Sequence, residues 1–126
     1  MAVIPLTDSS FPLRRIRLSD NREEWYDDLF FTNISRKGTD EYLIIDSRSQ
    51  LIEGARNETT NSTLPSASIG YKNYELTGTL YNETITSGNF FKIPKGVSSD
   101  DIYAIRFWDG NNQPIVAQIY YDLLYY

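Results

Sequence analysis

The chain has 126 residues, 40% of them hydrophobic and 14% aromatic, with a formal net charge of −5 and neither cysteine nor histidine. The missing side chains exclude disulfides, thiolate nucleophiles, cysteine-ligated metals, Ser-His-Asp catalysis and histidine-based zinc hydrolysis. The negative charge repels phosphate backbones at long range and argues against nucleic-acid binding. We therefore expect no cofactor, no metal and no enzymatic activity.

The residue types favour strands. Ten tyrosines and six phenylalanines supply much of the apolar share, and aromatic and β-branched residues fit a pleated, half-buried surface. Turn signals about every ten residues predict about seven to nine short strands. We expect an all-β fold, an antiparallel β-sandwich or jelly-roll-like domain over 1–126, with at most one short helix near residues 20–28.

The N-terminal segment gives no sign of a targeting sequence. It has no basic n-region, and Pro5 interrupts its apolar run. No stretch of the chain is apolar for the length that a membrane helix requires. We expect a soluble protein without a signal peptide and without membrane insertion.

Arginines and acids follow in the next part of the chain. Arg14, Arg15 and Arg17 fit either a phosphate-binding patch or a short strand whose arginines are solvated or paired. We favour the second interpretation, because no broader basic face surrounds them. The acidic segment 23–28 fits either a carboxylate pair of the glycosidase kind or a solvated face, and adjacent acids on one segment favour the solvated face.

The middle of the chain predicts a hairpin followed by a loop. Residues 29–46 fit a β-hairpin that turns at Gly38, and residues 50–54 fit a further short strand. A polar loop follows at 55–68. A loop of this length is either passively mobile or used for contact with a partner.

Polar and apolar side chains alternate through residues 69–81. Such alternation predicts a strand with one wet face and one buried face, and it places Tyr71, Glu75 and Tyr81 on the wet face. Tyr71 and Tyr81 then fit either an aromatic platform for a sugar ring or ordinary cross-strand partners, and we favour cross-strand partners.

The C-terminal run predicts a hairpin inside a sheet covered on both faces, with arms near 102–108 and 115–121. The turn between them holds three candidate interaction residues, Trp108, Asp109 and Asn111. Its oxygen-bearing side chains resemble a calcium loop, but the required glycine and final acid are missing, which favours a plain turn. The aromatic C-terminal strand or tail at 115–126 needs cover in water. It adds the candidate contacts Tyr120, Tyr121, Leu123, Leu124, Tyr125 and Tyr126.

No motif in the chain specifies a chemistry. With no cysteine, many Tyr, Asn and Thr residues and long polar loops, the chain resembles in composition the small β-rich accessory proteins of viral and phage particles. The resemblance implies a non-enzymatic structural or interaction protein, one copy among many, such as a capsid, tail or decoration component of a virion. Its partners would be other protein subunits, in a homo-oligomer or a hetero-assembly. The alternative is a carbohydrate-binding module that stacks a glycan on Trp108, Tyr71 and Tyr81.

Overall fold

A computed structural model describes residues 1–6, 13–20, 26–32, 34, 36–59, 61–69, 72–88, 90 and 102–119. Within these ranges the chain forms β-strands and one 3-10 turn at Asn82–Thr84. The strands are β1 (Ala2–Pro5), β2 (Arg15–Asp20), β3 (Tyr26–Phe31), β4 (Tyr42–Asp46), β5 (Leu51–Asn57), β6 (Ser66–Ile69), β7 (Lys72–Leu80), β8 (Ile85–Gly88), β9 (Ile102–Trp108) and β10 (Gln118–Ile119). Their pairings are antiparallel. The prediction of an all-β, antiparallel fold is confirmed, and the strands form two separate antiparallel sheets.

The chain divides into two compact units, each assembled from separated stretches of sequence. The first unit draws on 1–8, 36–81 and 117–126, and it holds a six-stranded sheet, sheet A, in the order β10-β1-β4-β5-β7-β6. The second draws on 9–35 and 82–116, and it holds a four-stranded sheet, sheet B, in the order β8-β3-β2-β9. That the whole chain is a single domain stays a prediction.

Sheet A carries buried side chains on both of its faces. One face holds a cluster of Val3, Ile44, Ala55 and Tyr74, with Tyr42 edge-on to Tyr74 at a ring separation of 5.2 Å. The opposite face is lined by aliphatic side chains that the register places next to one another: Ala2, Ile4, Leu43, Ile45 and Ile52. This double burial explains the near-continuous apolar run of β4.

One face of sheet B is lined by buried apolar side chains, and the other is partly exposed at Arg15, Arg17 and Asp28. Ile16 lies opposite both Leu29 and Phe107, and all three side chains are buried together with Leu18. Because side chains alternate along a strand, the arginines of β2 point to the other face. The Arg-Ile-Arg-Leu pattern of β2 is therefore the pattern of a half-buried strand.

The described part of the chain contains no α-helix. Of the helix predicted near 20–28, residue 20 belongs to β2 and residues 26–28 belong to β3, whereas 21–25 lie outside the described residues. Residues 26–28 are extended because β3 pairs with β2 on one side and with β8 on the other. No helix in the described ranges is long and apolar enough to cross a membrane.

One predicted hairpin is wrong and the other is shorter than predicted. Residues 29–46 hold a turn at Gly38, which has a φ of 54°, but β3 belongs to sheet B and β4 to sheet A, so the two strands do not pair. In the C-terminal run the predicted turn forms, since Trp108 is bridged to Pro114 and the Ile115 N–H donates to the Phe107 carbonyl at 3.0 Å. The second arm does not continue along β9, because β10 pairs with β1 in sheet A instead.

The polar loop predicted at 55–68 is shorter in the structure. Strand β5 continues to Asn57 and β6 begins at Ser66, so both ends of the predicted loop are paired with β7. The pairing with β7 extends to Pro65, just before β6, whose carbonyl accepts the Leu76 N–H at 2.8 Å. Composition alone concealed the strands, because Ser, Thr and Asn favour loops in most contexts.

The face predicted to be wet on β7 is also wrong. Glu75 and Tyr81 are buried there, whereas Leu80, expected inside, is 49% exposed. The physical reason is that Glu75 is hydrogen-bonded to Arg56 and Thr59, and Tyr81 to Asp40, so that both can be buried without leaving unpaired groups.

Gly54 of β5 leaves room for the carboxyl group of Asp40. Asp40 is buried, and a methyl group at position 54 would overlap its carboxylate oxygens. We predict that Gly54→Ala lowers the free energy of unfolding by about 1–3 kcal/mol, the usual cost of overpacking a core, measured by urea denaturation.

The control is the same substitution in an Asp40→Ala background, where the clash is absent. There the cost of Gly54→Ala should nearly vanish. An equal cost in both backgrounds would show that the carboxyl group is not what requires glycine.

Candidate functional site

The half-exposed face of sheet B is the candidate functional site, and we call it the arginine–aromatic face. It is formed by Arg15 and Arg17 of β2, Asp28 and Phe30 of β3, and Arg106 and Trp108 of β9. The register aligns these side chains in two rows across the strands. Arg15 lies between Phe30 and Trp108, and Arg17 lies between Asp28 and Arg106.

Arg15 is held between two aromatic rings. Its guanidinium carbon lies 5.1 Å from the centroid of the Phe30 ring and 4.9 Å from that of Trp108. Both distances are within the range of a cation–π attraction. The Arg15 Nε also donates to Asp28 Oδ1 at 2.9 Å, so three contacts fix the position of the guanidinium.

Asp28 accepts hydrogen bonds from two arginines at once. Besides Arg15, Arg17 donates from Nε at 3.0 Å and from its terminal nitrogen at 3.2 Å. Burial of Asp28 raises its pKa, but the hydrogen bonds from Arg17 and Arg15 outweigh it and lower the pKa below its ordinary value. The carboxylate is therefore ionised at neutral pH and balances one of the two arginines. The sequence interpretation of paired arginines is confirmed for Arg15 and Arg17.

The face remains accessible. The side chains of Arg15 and Arg17 are 25% and 30% exposed, and Asp28 between them is 16% exposed. Phe30 and Trp108 are half-buried. An approaching molecule thus meets cationic groups that are already positioned beside aromatic rings.

The turn after Trp108 uses its polar side chains to hold itself. Asp109 Oδ1 accepts the backbone N–H groups of Asn111 and Gln113, each at 2.9 Å. Arg14 donates to Asn112 Oδ1 at 3.1 Å and ties the turn to the start of β2. These are the contacts of an ordinary Asx-type turn. Among the residues that the structure describes, no group of three or more Asp or Glu side chains is placed to hold a metal ion.

The structure brings together only part of the predicted interaction set. Trp108, Asp109 and Asn111 lie in the second unit, at the end of β9 and in its turn. Tyr71 and the tail residues 120–126 lie outside the described part of the chain. Those predictions stay predictions.

Tyr81 is not a stacking residue, because its side chain has no exposed surface. Its hydroxyl donates to Asp40 and accepts the Lys37 N–H at 3.1 Å, and the Lys37 ammonium lies 4.9 Å from the ring centroid. Thr77 also donates to Asp40. The sugar platform of Tyr71 and Tyr81, the less favoured of the two interpretations, therefore lacks one of its two rings, and Tyr81 instead donates to a buried carboxylate.

A second buried carboxylate belongs to Glu75, which is 1% exposed. It accepts the Thr59 backbone N–H at 2.5 Å, the Thr59 hydroxyl at 3.1 Å and Arg56 Nε at 2.9 Å. The bond from the Thr59 backbone is the largest cause that lowers the pKa of Glu75 to about 2, against a smaller upward effect of burial. Glu75 thereby anchors the connection between β5 and β6.

Sequence reasoning missed Phe30 as a site residue and treated Arg15 and Asp28 as ordinary surface charges. The available signal was the alternation of Arg with Ile and Leu in β2, which places arginines on a single face. Their aromatic neighbours could be identified only from the register of three strands that are distant in sequence.

Comparison of the chain with protein-family models, with curated proteins and with solved structures gives no match. The functional argument therefore depends on the geometry of the chain itself.

The depressed pKa of Glu75 leads to a pH-dependent prediction. A carboxyl group whose pKa is lowered by folding stabilises the folded state above its ordinary pKa, and this contribution is lost as the pH falls towards the folded value. We predict that Glu75→Gln is less stable than the wild type at pH 7, and that the difference narrows between the ordinary pKa of 4.5 and the folded pKa of about 2. Thermal unfolding across this range measures it.

Glu58→Gln is the matched control, since Glu58 is an exposed glutamate of the same connection. It should change stability little at any pH. A Glu75→Gln difference that stays constant down to about pH 2 would contradict the assigned role of the carboxylate.

Proposed function

We propose that this chain is a non-enzymatic interaction protein that works as one subunit among many in a larger protein assembly, of the kind that forms or decorates a viral or phage particle. Its contact surface includes the arginine–aromatic face. The observation that carries the proposal is the half-exposed stack in which Arg15 lies between Phe30 and Trp108.

Residue type supports this proposal. Arginine and tryptophan are the side chains most enriched among the residues that dominate the energy of protein interfaces. Arginine is also more weakly hydrated than lysine, and so costs less to remove from water when a partner covers it.

Preorganisation supports it further. A long side chain usually loses conformational entropy when an interface immobilises it. Arg15 is already held by two rings and by the carboxylate of Asp28, so that part of the cost is met during folding. The stack also stabilises sheet B by itself, but its partial exposure leaves it available to a partner.

The solution mass of the purified chain tests the assembly role. We expect a defined multimer whose population grows with protein concentration, measured by light scattering coupled to size exclusion over a concentration series. A strict monomer at every concentration would contradict self-assembly.

Carbohydrate binding is the second candidate function. The half-buried ring of Trp108 next to the polar turn at 109–113 is the observation that favours it. In that case a folded monomer should bind a glycan in an array or by calorimetry, and Trp108→Ala should abolish the binding.

Leu80→Ala provides a control for the glycan experiment, because Leu80 is an exposed apolar side chain of the other unit. Loss of glycan binding in both variants would indicate a general effect on folding. Absence of glycan binding in the wild type would remove this function.

A further inference from the structure

We propose that Arg15 is a carboxylate clamp that binds an aspartate or glutamate side chain on the surface of a second copy of this chain. The inference rests on the proposed assembly function and names the contact that assembly would use.

Asp28 occupies only one of the three guanidinium nitrogens of Arg15. A guanidinium has five N–H donors, and the Arg15 Nε donor is bound to Asp28. The structure gives the two terminal nitrogens of Arg15 no hydrogen bond to any described residue, and the side chain is 25% exposed. Their parallel N–H groups match the two oxygens of a carboxylate, which they can bind in a bidentate manner.

The guanidinium of Arg15 is also held in a fixed position. Phe30 and Trp108 contact the guanidinium from neighbouring strands, and Asp28 holds its Nε edge. The remaining edge is therefore the one presented to a partner. A lysine at this position would keep the positive charge but would lack the planar fork.

Charge complementarity selects a second copy as the occupant. The arginine–aromatic face has three arginines and one aspartate, so the rest of the chain holds nine basic and sixteen acidic residues and has a formal net charge of −7. The positive face of one copy and the negative remainder of another attract each other at short range. A polyanion such as a nucleic acid is repelled by the net charge of the chain.

Such a contact joins two different surfaces. A heterologous contact of this kind closes into a ring if its rotation permits and otherwise continues as a filament. Exposed acids such as Glu41, Glu58 and Glu83 supply carboxylates of the required kind. The clamp thus predicts head-to-tail association of identical chains.

The test compares the self-association constants of the wild type, Arg15→Lys and Arg48→Lys by sedimentation velocity. Arg48 is an exposed arginine in the turn after β4, so Arg48→Lys matches the change in chemistry away from the clamp. We expect Arg15→Lys to weaken association by about tenfold or more, as loss of a bidentate charged pair would, and Arg48→Lys to leave it unchanged. Equal association of all three proteins would overturn the clamp.

Two further measurements keep the proposal falsifiable. Thermal unfolding shows whether Arg15→Lys is folded. Should it not fold, the wild-type multimer is measured from about 0.05 M to about 0.5 M NaCl, where screening of charges should weaken association.

A multimer indifferent to both Arg15→Lys and salt would overturn the clamp and leave the assembly function standing. A wild type that is monomeric throughout would overturn both.

Discussion

A carboxylate buried in a protein must be hydrogen-bonded, and this constraint shapes the first unit around Asp40 and Glu75. Asp40 accepts hydrogen bonds from Thr77 and Tyr81, and these bonds join the end of β7 to the 36–41 loop that precedes β4. Only glycine at position 54 leaves space for its carboxyl group. Glu75 repeats the arrangement at the other end of β7, where Thr59 and its neighbours in the connection supply the donors. These polar side chains are buried because each is hydrogen-bonded.

The second unit uses a carboxylate differently. Asp28 remains partly exposed and is shared by Arg15 and Arg17. Full burial of a charged pair carries a large desolvation penalty, whereas full exposure weakens the attraction between the two charges. A half-buried position keeps the pair ordered with a smaller desolvation penalty. The aromatic rings of Phe30 and Trp108 add a cation–π attraction to the Arg15 guanidinium. The outcome is an ordered cationic surface rather than a mobile one.

The sequence predicted the strand content well and the pairing poorly. Alternation in β2 and the aromatic, β-branched composition of β9 indicate strands directly, because these patterns are local. The partner of a strand is not local. Residues 29–46 looked like a hairpin, yet β3 and β4 enter different sheets. Glu75 of β7 and Tyr81 just after it were predicted to be exposed because they are polar. They are buried because Glu75 is hydrogen-bonded to Thr59 and Tyr81 to Asp40, contacts that no local pattern predicts. For the site, Trp108 was identified from its residue type, whereas the stack around Arg15 depends on a register that no local pattern specifies.

Two arginines of this chain donate from Nε to a carboxylate over the same distance, but in different surroundings. Arg56 Nε lies 2.9 Å from Glu75, and Arg15 Nε lies 2.9 Å from Asp28. Glu75 is a single buried anion that accepts hydrogen bonds from one arginine and from the backbone N–H and the hydroxyl of Thr59. Around Asp28 the cations outnumber the anion, since Arg15 and Arg17 share one carboxylate. A site with more cations than anions keeps the capacity to bind a further carboxylate, and a site with one anion surrounded by donors does not. This difference in stoichiometry, rather than bond length, is the reason for proposing sheet B and not sheet A as the surface for an acidic partner.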